Sequence, residues 1–259
     1  MNQQLIDNKN LSATETVEKV IDISGLYKSF GKNNHILKGV NIQVNKGENL
    51  VVLGKSGSGK SVTIKCLVGL VAADKGSIKV FGTDITTLNE NELNHVRVRV
   101  GFLFQNAALY DSMTVRENLE FPLKRHFKNL SQEECEAAIF ESLNSVGLAE
   151  AIDKMPSELS GGMRKRIGLA RTLILKPEII LYDEPTTGLD TITSREISEL
   201  MMAIQKKNKT SSIIITHDMA CAKLTADRII ILKDGVINAE GNYEELEKSK
   251  DEWVRSFFI

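Results

Sequence analysis

The run Leu50-Val51-Val52-Leu53-Gly54-Lys55-Ser56-Gly57-Ser58-Gly59-Lys60-Ser61-Val62 decides the fold. Four consecutive apolar residues read as a central strand buried on both faces. A short buried helix segment gives the same pattern, and the glycine-rich stretch that follows favours the strand. Residues 54–61 satisfy G-x-x-x-x-G-K-S, and residues 62–70 continue as a helix, the setting in which that spacing forms a phosphate-binding loop. Glycines let successive backbone amides turn toward one anion, and the helix N-terminus adds partial positive charge. Lys60 is expected to hold the β- and γ-phosphates and Ser61 to put its hydroxyl on Mg²⁺. Gly54, Lys55, Ser56, Gly57, Ser58, Gly59 and Val62 complete the cradle, whose natural ligand is a magnesium nucleoside triphosphate.

Outward from the loop, short apolar runs bounded by turn residues predict strands at 21–23, 40–44 and 49–53, and a hairpin-like strand at 77–80 between Gly76 and Gly82. Residues 117–157 turn strongly helical. Ser131-Gln132-Glu133-Glu134 supplies a capping-box start, and Cys135, Ile139, Leu143 and Val146 form one apolar stripe. Alternation then returns as a helix at 161–175, a strand at 179–182, a helix at 194–206 and strands at 212–215 and 229–232, with a turn at Asp234-Gly235. Alternating strands and helices imply an α/β fold with a parallel sheet between helices.

Two further segments carry chemistry. Ile179-Ile180-Leu181-Tyr182-Asp183-Glu184 is a buried strand that delivers two carboxylates at its C-terminal end, where ligands bind in open α/β sheets. Asp183 suits Mg²⁺, and Glu184 suits a general base that takes a proton from an attacking water. In Leu159-Ser160-Gly161-Gly162-Met163, followed by Arg164-Lys165-Arg166, Ser160 caps the next helix. Ser160, Gly161 and Gly162 thereby make a second anion-binding helix start.

The 259 residues include 33 Lys and Arg against 34 Asp and Glu, a formal net charge of −1, so no chain-wide positive field draws the protein to nucleic acid. Cys66, Cys135 and Cys221 lie far apart without a C-x-x-C pair, which suggests neither a disulfide framework nor a thiolate zinc site and fits a reducing cytoplasm. No apolar run approaches the ~20 residues that span a bilayer. The polar N-terminus reads as a short flexible tail without the features of a secretory signal.

The Ser-Gly-Gly segment, in order with the phosphate loop and the strand ending in Asp183-Glu184, resembles the signature of ATP-binding cassette (ABC) proteins, and the likeness runs from about Val20 to Gly241. The resemblance implies a RecA-like P-loop NTPase core with an antiparallel β subdomain and a helical insertion at about 106–160. On this division residues 1–19 are a tail, 20–241 the ATPase domain and 242–259 a C-terminal helical tail. It also implies ATP and Mg²⁺ as ligands, and a head-to-tail dimer in which the signature of one copy closes on the nucleotide of the other. Residue by residue, Tyr27 matches the aromatic that stacks on adenine, Gln105 the glutamine that touches Mg²⁺ and the attacking water, and His217 the histidine that bonds the γ-phosphate. Gly188-Leu189-Asp190 matches the loop that meets the other protomer.

Within the family, the stretch at 101–123, the basic triplet after the signature, and Lys60-Ser61-Val62 in place of Lys-Ser-Thr look like the ATPases of MCE-type lipid transporters, the Mla and Mkl groups. Asp190-Thr191 departs from the common Asp-Pro. The expected partners are a multi-span permease and a membrane-anchored, lipid-binding MCE protein, with the ATPase peripheral on the cytoplasmic face of the inner membrane. Amino acid, ion or lipoprotein cargo is the alternative. Residues 107–122, Met113 and Phe121 foremost, read either as a permease-docking surface or as packing of the insertion. Trp253, Val254, Phe257 and Phe258 read either as cover for the chain's own core or as contacts to a neighbour.

Overall fold

The computed structural model describes residues 18–258. The N-terminal tail expected at 1–19 therefore lies almost wholly outside the described residues. Long strands come first, β1 (Lys19–Ser29) and β2 (His35–Asn45), joined by a tight turn. Then follow β3 (Asn49–Leu53), α1 (Lys60–Leu67), β4 (Lys75–Val80), β5 (Thr83–Asp84) and α2 (Glu90–Val98). β3 is buried at all five positions, as a strand covered on both faces must be. α1 begins at Lys60, two residues earlier than the apolar pattern suggests, and stops before Gly69, whose φ of +67° turns the chain back.

β6 (Val100–Leu103) leads into the helical insertion, α3 (Val115–His126) and α4 (Gln132–Ser145). Both helices open on capping boxes, Thr114 with Glu117 and Ser131 with Glu134. After α5 (Gly161–Leu173) come β7 (Ile179–Asp183), α6 (Thr191–Asn208), β8 (Ser211–Ile215), α7 (Met219–Thr225), β9 (Arg228–Lys233), β10 (Val236–Gly241), α8 (Tyr243–Glu247) and α9 (Glu252–Arg255).

Two sheets organise these elements. A six-stranded sheet has the order β10-β9-β3-β8-β7-β6, parallel throughout except for β10 against β9. An antiparallel sheet has the order β2-β1-β4-β5. This is the P-loop NTPase arrangement expected from the alternation and the resemblance. The C-terminal ends of β3 and β7 deliver the phosphate loop and Asp183 to one edge of the parallel sheet, the place where open α/β sheets bind ligands.

One face of the parallel sheet packs on the antiparallel sheet through Leu50, Val52, Leu181, Ile213 and Ile230. The other packs on the helices through Val51, Ile180, Tyr182, Ile214 and Ile231. Each such side chain is worth about 1.5–3 kcal/mol when fully buried. The C-terminal aromatics serve this second core. Val254 is buried, and Trp253, Phe257 and Phe258 pack against the helical-side cluster. In the 107–122 stretch, Ala107, Val115, Asn118 and Leu119 are buried, while Tyr110 and Phe121 stay exposed and meet edge to face at 5.3 Å.

Candidate functional site

A cavity of about 750 Å³ opens where the phosphate loop meets the ends of β7 and β8. It is lined by Gly54, Lys55, Ser56, Gly57, Gly59, Lys60, Ser61, Val62, Gln105, Glu184 and His217, together with Phe30, Ile36 and Phe257. Its shape follows from backbone constraints. Gly54 sits at φ +156°, and a Cβ there would lie 2.5 Å from the Leu232 carbonyl oxygen and 2.6 Å from Ser58 Oγ, so no larger residue fits at the loop's first position. Lys60 Nζ donates to the Gly54 and Lys55 carbonyls at 2.7 and 3.1 Å, folding its ammonium under the loop.

The donors fit a magnesium triphosphate. Among the described residues every α-helix except α1 has a side chain hydrogen-bonded to its first amides, so the N-terminus of α1 presents free donors to the cavity. Ser58 Oγ is buried with no hydrogen-bond partner among those residues, which leaves the loop one unsatisfied hydroxyl donor. Ser61 Oγ donates to Asp183 Oδ1 at 3.0 Å, placing a hydroxyl and a carboxylate side by side as oxygen ligands for a hard cation. Burial pushes the Asp183 carboxyl above its ordinary range, with Ser61 opposing and Glu184 adding to the rise; a divalent cation reverses that balance. Burial likewise pulls the Lys60 ammonium below its usual value against the attraction of Glu184 and Asp183, and phosphate charge restores it.

Glu184 follows β7 with φ +52°, a left-handed conformation that costs a residue other than glycine about 1–3 kcal/mol. Its amide donates to the Ile215 carbonyl at 2.9 Å, locking the turn to the end of β8. Oε2 receives a hydrogen bond from Thr187 Oγ1 at 3.1 Å and pairs with His217 Nδ1 at 2.7 Å. An ionised carboxylate only accepts, so Nδ1 carries the hydrogen and Nε2 is the ring nitrogen left for a ligand. His217 is exposed and Glu184 half-buried, the geometry of a carboxylate steered toward a solvent-facing cleft.

Tyr27, the expected adenine platform, stands away from this cleft. It pairs with Lys38 of β2 and Lys75 of β4, and its hydroxyl lies over Gly39. Phe30 takes the place expected of Tyr27: it is exposed, lines the cavity, and has Lys28 Nζ 5.4 Å from its ring centroid. The physical reason is a set of register shifts along β1, after Ile23, Leu26 and Lys28, which re-aim the side chains of the strand's last turn. Phe257, read from its segment as core cover or a contact to a neighbour, also lines the cleft, a position its helical spacing does not signal.

The Ser-Gly-Gly turn lies outside this cavity. Ser160 Oγ accepts from Met163 N at 3.2 Å, capping α5, and Ser160 and Gly161 face solvent. A Cβ at Gly162 would fall 2.6 Å from Thr193 Cγ2, and one at Gly161 3.5 Å from Leu189, so the turn sits against the loop of Gly188-Leu189-Asp190. Asp190 in turn caps α6 through Ile192 N and Thr193 N.

Comparison with known proteins agrees with this architecture. A profile of the ABC transporter family matches residues 37–187. The probable ribonucleotide transport ATP-binding protein mkl of Mycobacterium leprae is 41% identical over 237 residues, 92% of this chain and 68% of that protein. The chain spans about two thirds of the length of the mycobacterial relatives. The chloroplastic protein TRIGALACTOSYLDIACYLGLYCEROL 3 of Arabidopsis thaliana is 38% identical across 92% of this chain and 73% of its own length. The methionine import ATP-binding protein MetN of Rhizobium etli is 39% identical across 91% and 64%. Among solved structures, a dimeric ATP-binding cassette in a post-hydrolysis state with ADP and phosphate aligns with a TM-score of 0.79 at 31% identity, covering 86% of this chain and 98% of that one.

Proposed function

This chain belongs to the ABC transporter family as an ATP-hydrolysing nucleotide-binding subunit, and from that premise we propose that it dimerises on ATP to drive lipid movement through a multi-span permease and an MCE-type lipid-binding partner. In this reading the enzyme works from the cytoplasmic face of the inner membrane. The observation that carries the catalytic half is the single cleft that holds Lys60, Ser61, Gln105, Glu184 and His217 while leaving the Ser-Gly-Gly turn outside, with Ser160 and Gly161 exposed for a second copy.

The residues act as follows. The loop amides of residues 54–61 and Lys60 hold the β- and γ-phosphates, and Phe30 offers the adenine platform. Ser61 and Asp183, with Gln105, would hold Mg²⁺, which when bound neutralises charge on the β- and γ-phosphate oxygens. Glu184, oriented by His217 and Thr187, takes a proton from the attacking water at its carboxylate, and His217 stands at the γ-phosphate end of the cleft. The partner copy's Ser-Gly-Gly turn caps the same phosphates from the other side, so hydrolysis and dimer reopening are linked.

The lipid assignment is supported by the 101–123 stretch and the Arg164-Lys165-Arg166 triplet, and by a chloroplastic relative whose name is that of a galactolipid. The methionine import relatives favour a second reading in which the same ATPase serves a small polar cargo. No helix among the described residues is long and apolar enough to cross a membrane, and in this reading the permease supplies the membrane path. Purification from membranes, with identification of copurifying proteins and lipids, tests the choice. A permease with an MCE protein and bound phospholipid is expected. A permease with an amino-acid-binding protein overturns the lipid reading in favour of the second.

A further inference from the structure

Lys165, the middle residue of the basic triplet, is 6% exposed, far more buried than a lysine on a helix surface. Its ammonium Nζ donates to the Gln105 carbonyl at 2.5 Å and to the Glu184 carbonyl at 3.0 Å. Burial lowers its proton affinity while Glu184 and Asp183 oppose that fall, and two main-chain carbonyl dipoles face the nitrogen. One side chain thus joins the signature helix α5, the start of the helical insertion and the turn after β7.

Nearby contacts fasten α5 to the same loop without reaching Glu184. Arg171 donates to the Ala108 and Ala107 carbonyls at 2.7 and 3.3 Å, and both alanines are left-handed, with φ +51° and +58°. At Gly168 a Cβ would lie 2.7 Å from the Ala107 Cβ, so helix and loop meet at backbone distance. The 105–108 loop therefore travels with α5 as one body. Lys165 is the side chain that ties this body to the backbone of Glu184, which itself holds a strained left-handed turn.

We infer that Lys165 is a positioning residue for hydrolysis, setting the peptide of Glu184 relative to Gln105 and transmitting displacement of the signature helix to the hydrolytic carboxylate. This rests on the proposed role of Glu184. When a partner's nucleotide draws Ser160 inward, α5 carries Lys165 with it, and the two carbonyls it holds shift together. ATP binding, which depends on the loop around Lys60, is untouched.

The test compares Lys165→Met, Lys165→Arg and Glu184→Gln in the full chain, by steady-state hydrolysis and by binding of a non-hydrolysable ATP analogue. Met keeps the length of the stem and removes the donors. It is expected to lower kcat about 10²-fold, the usual effect of displacing a reacting group by a fraction of its contact distance, with analogue binding unchanged. Arg, which restores donors, is expected to recover turnover. If Lys165→Met fails to fold, Lys165→Gln supplies the same comparison with shortened reach. Wild-type turnover in Lys165→Met beside an impaired Glu184→Gln overturns the role of Lys165 alone, and so does loss of analogue binding in step with turnover. Wild-type turnover in Glu184→Gln overturns the underlying reading instead.

Discussion

Nδ1 of His217 lies 2.7 Å from Oε2 of Glu184, although 33 residues separate them in sequence. The pair is assembled by the parallel neighbours β7 and β8, whose C-terminal ends release both residues at one edge of the sheet. Fixing the carboxylate from two sides, by His217 and Thr187, confines it to one orientation toward the cleft.

Replacing Glu184 by Gln keeps the size and the contact to Thr187 but removes the proton acceptor. ATP binding is expected to persist while turnover falls about 10²- to 10⁴-fold, the ordinary worth of general-base catalysis. Single-turnover hydrolysis alongside equilibrium ATP binding measures both, and turnover at the wild-type rate removes Glu184 from the role.

Phe30 and Tyr27 separate by their nucleotide dependence. Phe30→Ala is expected to weaken ATP binding by the about 0.5–1.5 kcal/mol of an aromatic stack, roughly two- to tenfold in Kd. Tyr27→Ala, which uncovers Gly39 instead, leaves ATP affinity at the wild-type value. Calorimetric titration of the two variants decides, and the reverse pattern returns the adenine to Tyr27.

Gly54→Ala places a methyl group 2.5 Å from the Leu232 carbonyl. Backbone strain of about 1–3 kcal/mol, added to that clash, is expected to lower the urea midpoint and to abolish ATP binding as the loop is pushed off β9. A variant of unchanged midpoint and affinity contradicts the described loop geometry.

Most of this architecture was legible from residue pattern because the elements that build it are extreme. β3, β7 and β8 each carry an unbroken apolar run, at 50–53, 179–181 and 213–215, and the phosphate loop allows few alternatives at its glycines. What stayed hidden depends on tertiary contact. The register shifts in β1 exchange Tyr27 for Phe30 at the cleft. α2 went unread because Leu93 is its one buried residue, leaving only the Asn89–Glu92 capping box as a signal. Asn118, wholly buried, pins the loop before α3 through Tyr110, Met113 and Thr114, which a polar residue in a helix does not announce. Lys165 stands in the sequence only as part of a basic triplet, and nothing there marks the two carbonyls that the fold places around it.

Ser160→Arg is expected to leave ATP binding to the single chain intact and to stop hydrolysis, because a bulky cation at the exposed turn blocks approach of a second copy. Unchanged hydrolysis in that variant rejects the shared site.

In the proposed cycle ATP is held between the loop of one copy and the Ser-Gly-Gly turn of another. Ser56 and Ser160 are both exposed, whereas the native Cys66, Cys135 and Cys221 are buried, so single-cysteine reporters can be read cleanly. With Ser56→Cys and Ser160→Cys each placed in the Glu184→Gln background, the two proteins are mixed with ATP and a short bis-maleimide. A cross-linked product containing one chain of each kind is expected, formed only with ATP and absent from either variant alone. Full ATP occupancy without any mixed cross-link contradicts the shared site.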